Sequence, residues 1–331
     1  MSSSSMSSSR RSPALTTTES TLPMTGWWRP LARSGLTVSA LCLGGGASLR
    51  LRSQRTSTHT VGTLNLVHQA LAHQITFLDT MRGGAARSSR RIAGAGAIAE
   101  SGGQHGSVVV AITVDTPTDD PSGTQIRATV AASAQRLKMP RLPLVYLQLR
   151  PRQPVDAITA PGGPLDTLVR LRANGDIGAI GVAGSDIDQL SRSIDLGVLD
   201  AVRVHGRWTL LDRSAAHLLD QAVAAGVAAI NADVDAGGLL RGTRGGGNLS
   251  TSAVRPAVVE AARAMDLVCR WWGTDLATAA LLFSVRDRRI TSTVTGLAAP
   301  ADITSTLNAL DTDPVEPFWD ELETLLPPQD R

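Results

Sequence analysis

Short apolar runs rich in β-branched residues alternate eight times with longer stretches of helical period, and this alternation constrains the fold more than any other feature of the chain. VSALCLGG from Val38 precedes a helix near 60–73, and ITFLD from Ile75 precedes one near 87–99. SVVVAITV from Ser107 leads into 123–137, LPLVYLQL from Leu142 into 164–173, and IGAIGVA from Ile177 into 186–196. DAVRVH from Asp200 is followed by 213–225, GVAAINA from Gly226 by helices between 252 and 285, and ITSTVTG from Ile290 by 300–310. Composition does not break anywhere along these units, which favours closure of the sheet over an open, doubly wound one. The predicted architecture is α/β, a (β/α)8 TIM barrel. WWRPLARSGL before the first run predicts a β-hairpin plugging the barrel bottom, and DPVEPFWDELETLL from Asp313 predicts a closing amphipathic C-terminal helix.

Residues 1–23 are dominated by Ser and Thr and lack an apolar segment, so they read as a disordered tail rather than an export signal, with 24–331 forming the barrel. No apolar run reaches the roughly 18 residues that a spanning helix requires, and no membrane contact is predicted. Lys138 is the only lysine, the arginines are dispersed, and aromatic residues make up 3% of the chain. A nucleic-acid surface needs clustered basic and aromatic side chains, so none is predicted. Cys42 and Cys269 stand far apart, and the histidines show no paired spacing, which argues against a disulfide framework or a metal site and for a reduced, cytoplasmic setting. The expected partner is a small-molecule substrate, and the oligomeric state is left open.

RPLARSGLTVSALCLGGG at 29–46 resembles the opening hairpin and first strand of aldo-keto reductases. ITFLDT at 75–80 is similar to that family's second-strand motif and RANGDIGAIGVAGS at 172–185 to its fifth. GRWTLLDR at 206–213, AGGLLRG at 236–242 and ITSTVTGLAAPADI at 290–303 follow in the family's order, the last resembling its cofactor motif around Gly296. The resemblance spans about residues 26–311, and the GR-aromatic-TLL element looks closest to the aldose and L-fucose dehydrogenase-like branch.

The resemblance implies a tetrad of Asp, Tyr, Lys and His, in which Tyr protonates a carbonyl while NADPH delivers hydride. Asp79 stands at the Asp position, but the Tyr position falls on Gly83 or Gly84, the Lys on Thr113, and the His on Gln148 or Leu149. A glycine has no proton to give, and a threonine has no charge with which to tune a neighbour. The degenerate tetrad therefore predicts that the family's hydride chemistry is disabled.

Strand alternation places residues two apart on one face. If those faces point inward, the barrel mouth holds Asp79, Thr113, Gln148, Arg203 and His205, with Trp208 just beyond it. Arg203, or else Arg82 or Arg150, is expected to give Asp79 the countercharge that the missing lysine would have supplied. His205 is the candidate general acid or base, against a purely structural role. Tyr146, the only tyrosine, reads as core filler below Gln148 rather than as a relocated acid. Trp208 aligns with the aromatic on which the family stacks nicotinamide, and it stands open between stacking and covering the barrel rim.

Arg241 and Arg244, set among glycines, are the residues that could hold a pyrophosphate. The family's polar contacts to the adenosine phosphate fall on Ala298, Asp302 and Thr306, so NADPH is expected to bind weakly or not at all. The leading expectation is a non-redox enzyme performing cyclisation, dehydration or isomerisation on a small carbonyl-containing metabolite. Its alternatives are an NAD(P)H-dependent oxidoreductase with a relocated proton donor and a catalytically silent binding protein.

Overall fold

A computed structural model of the chain describes residues 16–17, 26–44, 58–82, 108–116, 123–241, 254–297 and 300–329. Its centre is a closed barrel of parallel strands: β4 (Leu41–Gly44), β5 (Phe77–Arg82), β6 (Val109–Asp115), β7 (Leu142–Gln148), β8 (Ile177–Gly184), β9 (Ala201–His205), β10 (Ala228–Ala232) and β11 (Ile290–Thr295). They pair in chain order, and β11 returns to β4 through Thr293–Leu41, Val294–Cys42 and Thr295–Leu43. Helices Thr58–Ala72, Thr124–Leu137, Pro164–Ala173, Ile187–Ile194, Ala216–Ala224, Pro256–Trp271, Leu276–Arg286 and Pro300–Leu310 lie between or after the strands. The predicted strands and helices are found wherever those residues are described, and the helix expected near 87–99 lies outside them.

Two apolar cores follow from alternation along each strand. Leu41, Leu78, Val110, Val145, Ile180 and Val202 pack outward against the helices. Cys42, Phe77, Ala111, Tyr146, Ala183 and Ile230 belong to the cluster that fills the barrel itself. The hairpin closes the bottom of that inner core: β2 (Trp28–Pro30) pairs antiparallel with β3 (Thr37–Ser39), and buried Leu31 and Val38 enter the interior cluster. Arg29 donates to the carbonyls of Ile290 at 2.6 Å and Val285 at 3.1 Å, while Arg33 donates to those of Gly197 and Leu199 across the same rim. At the other end of the chain, helix Glu316–Glu323 buries Phe318, Trp319 and Leu322, as its amphipathic pattern predicts.

One expectation changes. Thr16–Thr17, within the stretch read as a disordered tail, forms a short strand, β1, antiparallel to β12 (Thr312–Asp313). Extended Ser/Thr-rich backbone keeps its N–H and C=O groups available for pairing even where its side chains offer no apolar face. No helix among the described residues is long and apolar enough to cross a membrane.

The interior is filled by a few large side chains set against small ones. A Cβ added at Gly181 would come within 2.4 and 2.5 Å of the Tyr146 ring, so β8 must be bare there for the ring to lie flat against it. Gly181→Ala is expected to destabilise the barrel by about 1–3 kcal/mol in urea unfolding, and adding Tyr146→Leu to recover most of that loss. An unchanged midpoint in Gly181→Ala would show that the ring is not packed against β8.

Candidate active site

β5, β6, β7 and β9 each carry a polar side chain on the inner face of their C-terminal half: Asp79, Thr113, Gln148, and Arg203 with His205. Of the five residues expected there, Asp79, Thr113, Arg203 and His205 are joined by hydrogen bonds, while the Gln148 amide bonds the Leu149 and Ala183 carbonyls. Arg203 organises the four. It is fully buried, and its Nη1 donates to Asp79 Oδ2, its Nη2 to Thr113 Oγ1 at 3.0 Å and its Nε to His205 Nε2 at 3.0 Å. The guanidinium carbon also lies 4.6 Å from the centroid of the Tyr146 ring, within cation–π reach. The countercharge of Asp79 is thus Arg203.

The electrostatics follow from this arrangement. Burial is the largest single influence on the Arg203 guanidinium and pulls it down, but the charge and hydrogen bond of Asp79, together with the other groups around it, outweigh burial and hold it above its ordinary value. Burial also pushes the Tyr146 phenol and the nearby Cys42 thiol well up. Both stay protonated, so this part of the interior carries one cation and one carboxylate as a hydrogen-bonded pair.

His205 lies where this buried network meets solvent. Because Arg203 Nε–H donates to Nε2, the proton of the neutral ring sits on Nδ1, which faces Asp233 Oδ2 at 3.3 Å. The His205 side chain is 22% exposed and that of Asp233 58%, so the network runs outward from Asp79 through Arg203 and His205 to an accessible carboxylate. Sequence reasoning missed Asp233. It follows inward-facing Ala232, and strict alternation would turn it away, but its backbone is left-handed at φ 57°. That conformation re-aims the side chain at the mouth, and Asp is among the few residue types that adopt it readily. The run NADVDAGG, with two aspartates and two glycines directly after a strand, is the only sequence signal for such a turn.

Gln148 is 5% exposed, and both of its amide hydrogens are used: Nε2 donates to Leu149 O at 3.0 Å and Ala183 O at 2.9 Å. Its Oε1, like the Tyr146 hydroxyl, is buried without a hydrogen-bond partner among the described residues. The chain's one tyrosine is therefore sealed beneath Arg203. Its one lysine, Lys138, ends helix Thr124–Leu137 at the opposite end of the barrel, ahead of the first residue of β7.

Trp208 is not over the mouth. Its ring is buried in the layer between barrel and helices, 5.4 Å from Phe283, with the Arg289 guanidinium 4.7 Å away. Asn231 on β10 holds the Trp208 carbonyl at 2.8 Å and Ser284 Oγ at 2.8 Å, which draws the loop after β9 outward. Neither nicotinamide stacking nor rim cover describes it. Arg241 is exposed but paired: its Nε and Nη2 both lie 2.7 Å from Asp235 Oδ2. It borders a cleft of about 390 Å³ between the turn Ala236–Arg241 and helices Pro256–Trp271, Leu276–Arg286 and Pro300–Leu310. Arg270, Asp266, Asp275, Ser305 and Thr306 also line it, and Arg270 is paired to Asp266 at 2.8 Å. Both arginines that line the cleft are thus paired to carboxylates. Gly296 is exposed just past β11, while Gly83, Gly84, Arg244 and Ala298 lie outside the described residues.

If the Asp79–Arg203 pair holds the mouth together, removing one partner strands the other charge in the interior. Arg203→Met or Asp79→Leu alone is expected to cost about 3–5 kcal/mol in denaturant unfolding, and the double replacement to be more stable than either single one. Losses below about 1 kcal/mol in both singles would mean that water already solvates the pair.

Comparison with known proteins agrees with this architecture. Residues 40–326 match the Aldo/keto reductase family. The chain is 28% identical over 200 residues to D-threo-aldose 1-dehydrogenase of a Pseudomonas species, covering 60% of each protein. It is 27% identical over 202 residues to pyridoxal 4-dehydrogenase of Microbacterium luteolum, covering 58% of this chain and 59% of that one. These matches span about three fifths of the relatives' length. A solved aldo-keto reductase structure from Pseudomonas aeruginosa superposes with a TM-score of 0.61 over 86% of this chain and 94% of that one, at 20% identity, and supports the fold. With a family match covering the whole barrel from the first strand to the closing helix, the chain belongs to the aldo/keto reductase family.

Proposed function

We propose that this barrel moves protons rather than hydride, acting on a small carbonyl-containing metabolite by cyclisation, dehydration or isomerisation. One observation carries the reading: the only phenol in the chain is sealed under a buried guanidinium, and the only ammonium side chain sits at the far end of the barrel. The tyrosine and lysine on which the family's carbonyl protonation rests thus have no accessible counterpart among the residues of this chain. The relatives are named for an aldose and for pyridoxal, both carbonyl compounds, which supports the substrate class.

In this reading Asp233 is the base. As the exposed end of the network it meets the substrate and takes the proton next to the carbonyl, and the Nδ1–H of His205 holds the carboxylate in place. Arg203, Asp79 and Thr113 act through His205: Arg203 fixes which ring nitrogen carries the proton, and the other two fix Arg203. The proton withdrawn can be returned to a neighbouring atom of the same substrate, so no redox partner enters the balance. The two buried, free cysteines suit the cytoplasmic setting proposed with it.

Proton abstraction is visible without knowing the product. Incubated in D2O with a panel of small hydroxyketones and hydroxyaldehydes and no nicotinamide, the protein is expected to catalyse deuterium uptake beside the carbonyl, read by proton NMR. Asp233→Asn and His205→Asn should each slow that uptake by about 10²- to 10⁴-fold. Unchanged uptake in both variants would remove the pair from the reaction.

Cofactor binding gives an independent check. Calorimetry is expected to find NADPH held no more tightly than about 0.1 mM, in keeping with neutralised Arg241 and Arg270. Steady NADPH consumption with an aldehyde would instead favour an oxidoreductase using Tyr146, whose hydroxyl is unpartnered, and loss of that rate in Tyr146→Phe would establish it.

A further inference from the structure

Most of the mouth's polar side chains satisfy one another, which makes the exception informative. Gln148 faces inward on β7, in pairing register with Ala183 on β8, which is itself in register with Arg203 on β9. Its amide cannot be turned around: Nε2 donates to two backbone carbonyls, Leu149 O and Ala183 O, and a reversed amide would set its oxygen against both. The end of the strand is fixed as well, because Thr116 Oγ1 donates to the Gln148 carbonyl at 3.2 Å and to Gln153 Oε1 at 2.9 Å. The side-chain oxygen is therefore held on the side away from the β7–β8 edge, buried and lacking a donor.

A buried acceptor without a donor costs stability, and a site that leaves one open gains when a ligand supplies the missing hydrogen. The residue between Gln148 and Arg203 in register is Ala183, whose methyl carries no donor for the amide. Arg203 cannot turn to supply one, since its Nε, Nη1 and Nη2 are engaged by His205, Asp79 and Thr113. The Tyr146 hydroxyl does not supply the hydrogen, being itself buried without a partner. None of the described residues supplies it, which leaves it to what enters the mouth.

We infer that Gln148 is a specificity-determining residue whose Oε1 accepts a hydroxyl of the substrate, so that the barrel selects hydroxylated carbonyl compounds over their deoxy counterparts. The inference rests on the proposed function only in taking the mouth as the substrate site. It concerns binding, not turnover.

Hydroxyacetone and 2-butanone are suitable probes, nearly equal in size and differing by a hydroxyl in place of a methyl. In ligand-observed NMR titrations of the whole chain, hydroxyacetone is expected to bind at least about tenfold more tightly. Gln148→Met keeps the side-chain length and removes the acceptor, so it should bring the two affinities within about twofold, with a melting curve confirming that the variant is folded. Equal affinities in the unmodified protein would overturn the inference whatever the variant does, and would mean that a buried water serves the amide. Absence of binding by either ketone would overturn it too, as would a preference that survives in folded Gln148→Met. A hydroxyl preference without deuterium uptake would uphold this contact while removing the proposed proton transfer.

Discussion

An unpaired guanidinium in the middle of a protein is among the most expensive groups to bury, and the mouth of this barrel is arranged around one. Arg203 has nearly no solvent contact, so its charge must be met from inside, and it is: a carboxylate from β5, a hydroxyl from β6, an imidazole nitrogen from its own strand and an aromatic face from β7. The planar fork sets the direction of each of these contacts, because its donors leave the plane in fixed directions. Replacing the carboxylate by anything neutral would leave several kcal/mol of desolvation uncompensated, by the order of magnitude that applies to buried ions. The Asp79–Arg203 pair therefore determines the geometry that the other polar groups inherit.

Room for that pair comes from small residues elsewhere in the interior. Barrels of this type are ordinarily filled by layers of bulky branched side chains. Here Ala111, Ala179, Ala183, Ala201 and Ala228 line much of the inner wall, and Gly181 lies beneath the Tyr146 ring. Phe77, Tyr146 and Arg203 are among the largest fully buried side chains and occupy the volume those alanines vacate. Packing and electrostatics are thus one constraint: enlarging a wall residue pushes on the ring, and the ring lies against the guanidinium.

The strands, their order and their inward faces were legible because the two-residue period of a strand is a property of the backbone, independent of context. Asp79, Thr113 and Gln148 were named by family resemblance, and alternation placed them, with Arg203 and His205, on inward faces. What alternation cannot supply is any position where the backbone leaves the extended region. Asp233 lies in such a place, as does Ala236, at φ 49°. Trp208 shows a second limit: its position depends on Asn231 and Ser284, residues far away in sequence that draw its loop toward the helices. The pairing of Thr16–Thr17 with Thr312–Asp313 shows a third, since nothing local in a Ser/Thr-rich stretch announces a partner almost a whole chain length away. Family resemblance named the positions to inspect, and Arg203 was expected beside Asp79 with Arg82 and Arg150 as alternatives. The meeting of β5 and β9 across the interior decides for Arg203.

An arginine beside a buried aspartate differs from a lysine there in more than shape. An ammonium in a low-dielectric site can have its pKa drawn toward neutrality and so take part in moving protons, whereas a guanidinium keeps its charge at any working pH. Arg203, raised further by Asp79, is a fixed cation that orders its neighbours and relays nothing. Tyr146 and Cys42 are held in their protonated forms by burial and are equally fixed. A site whose interior groups all keep their protons leaves exchange to its outer edge, where an imidazole and a half-exposed carboxylate meet solvent. On that account the inner mouth is a rigid foundation, and its chemistry, in the reaction proposed for it, has moved outward by about one residue step to the end of β9 and the turn after β10.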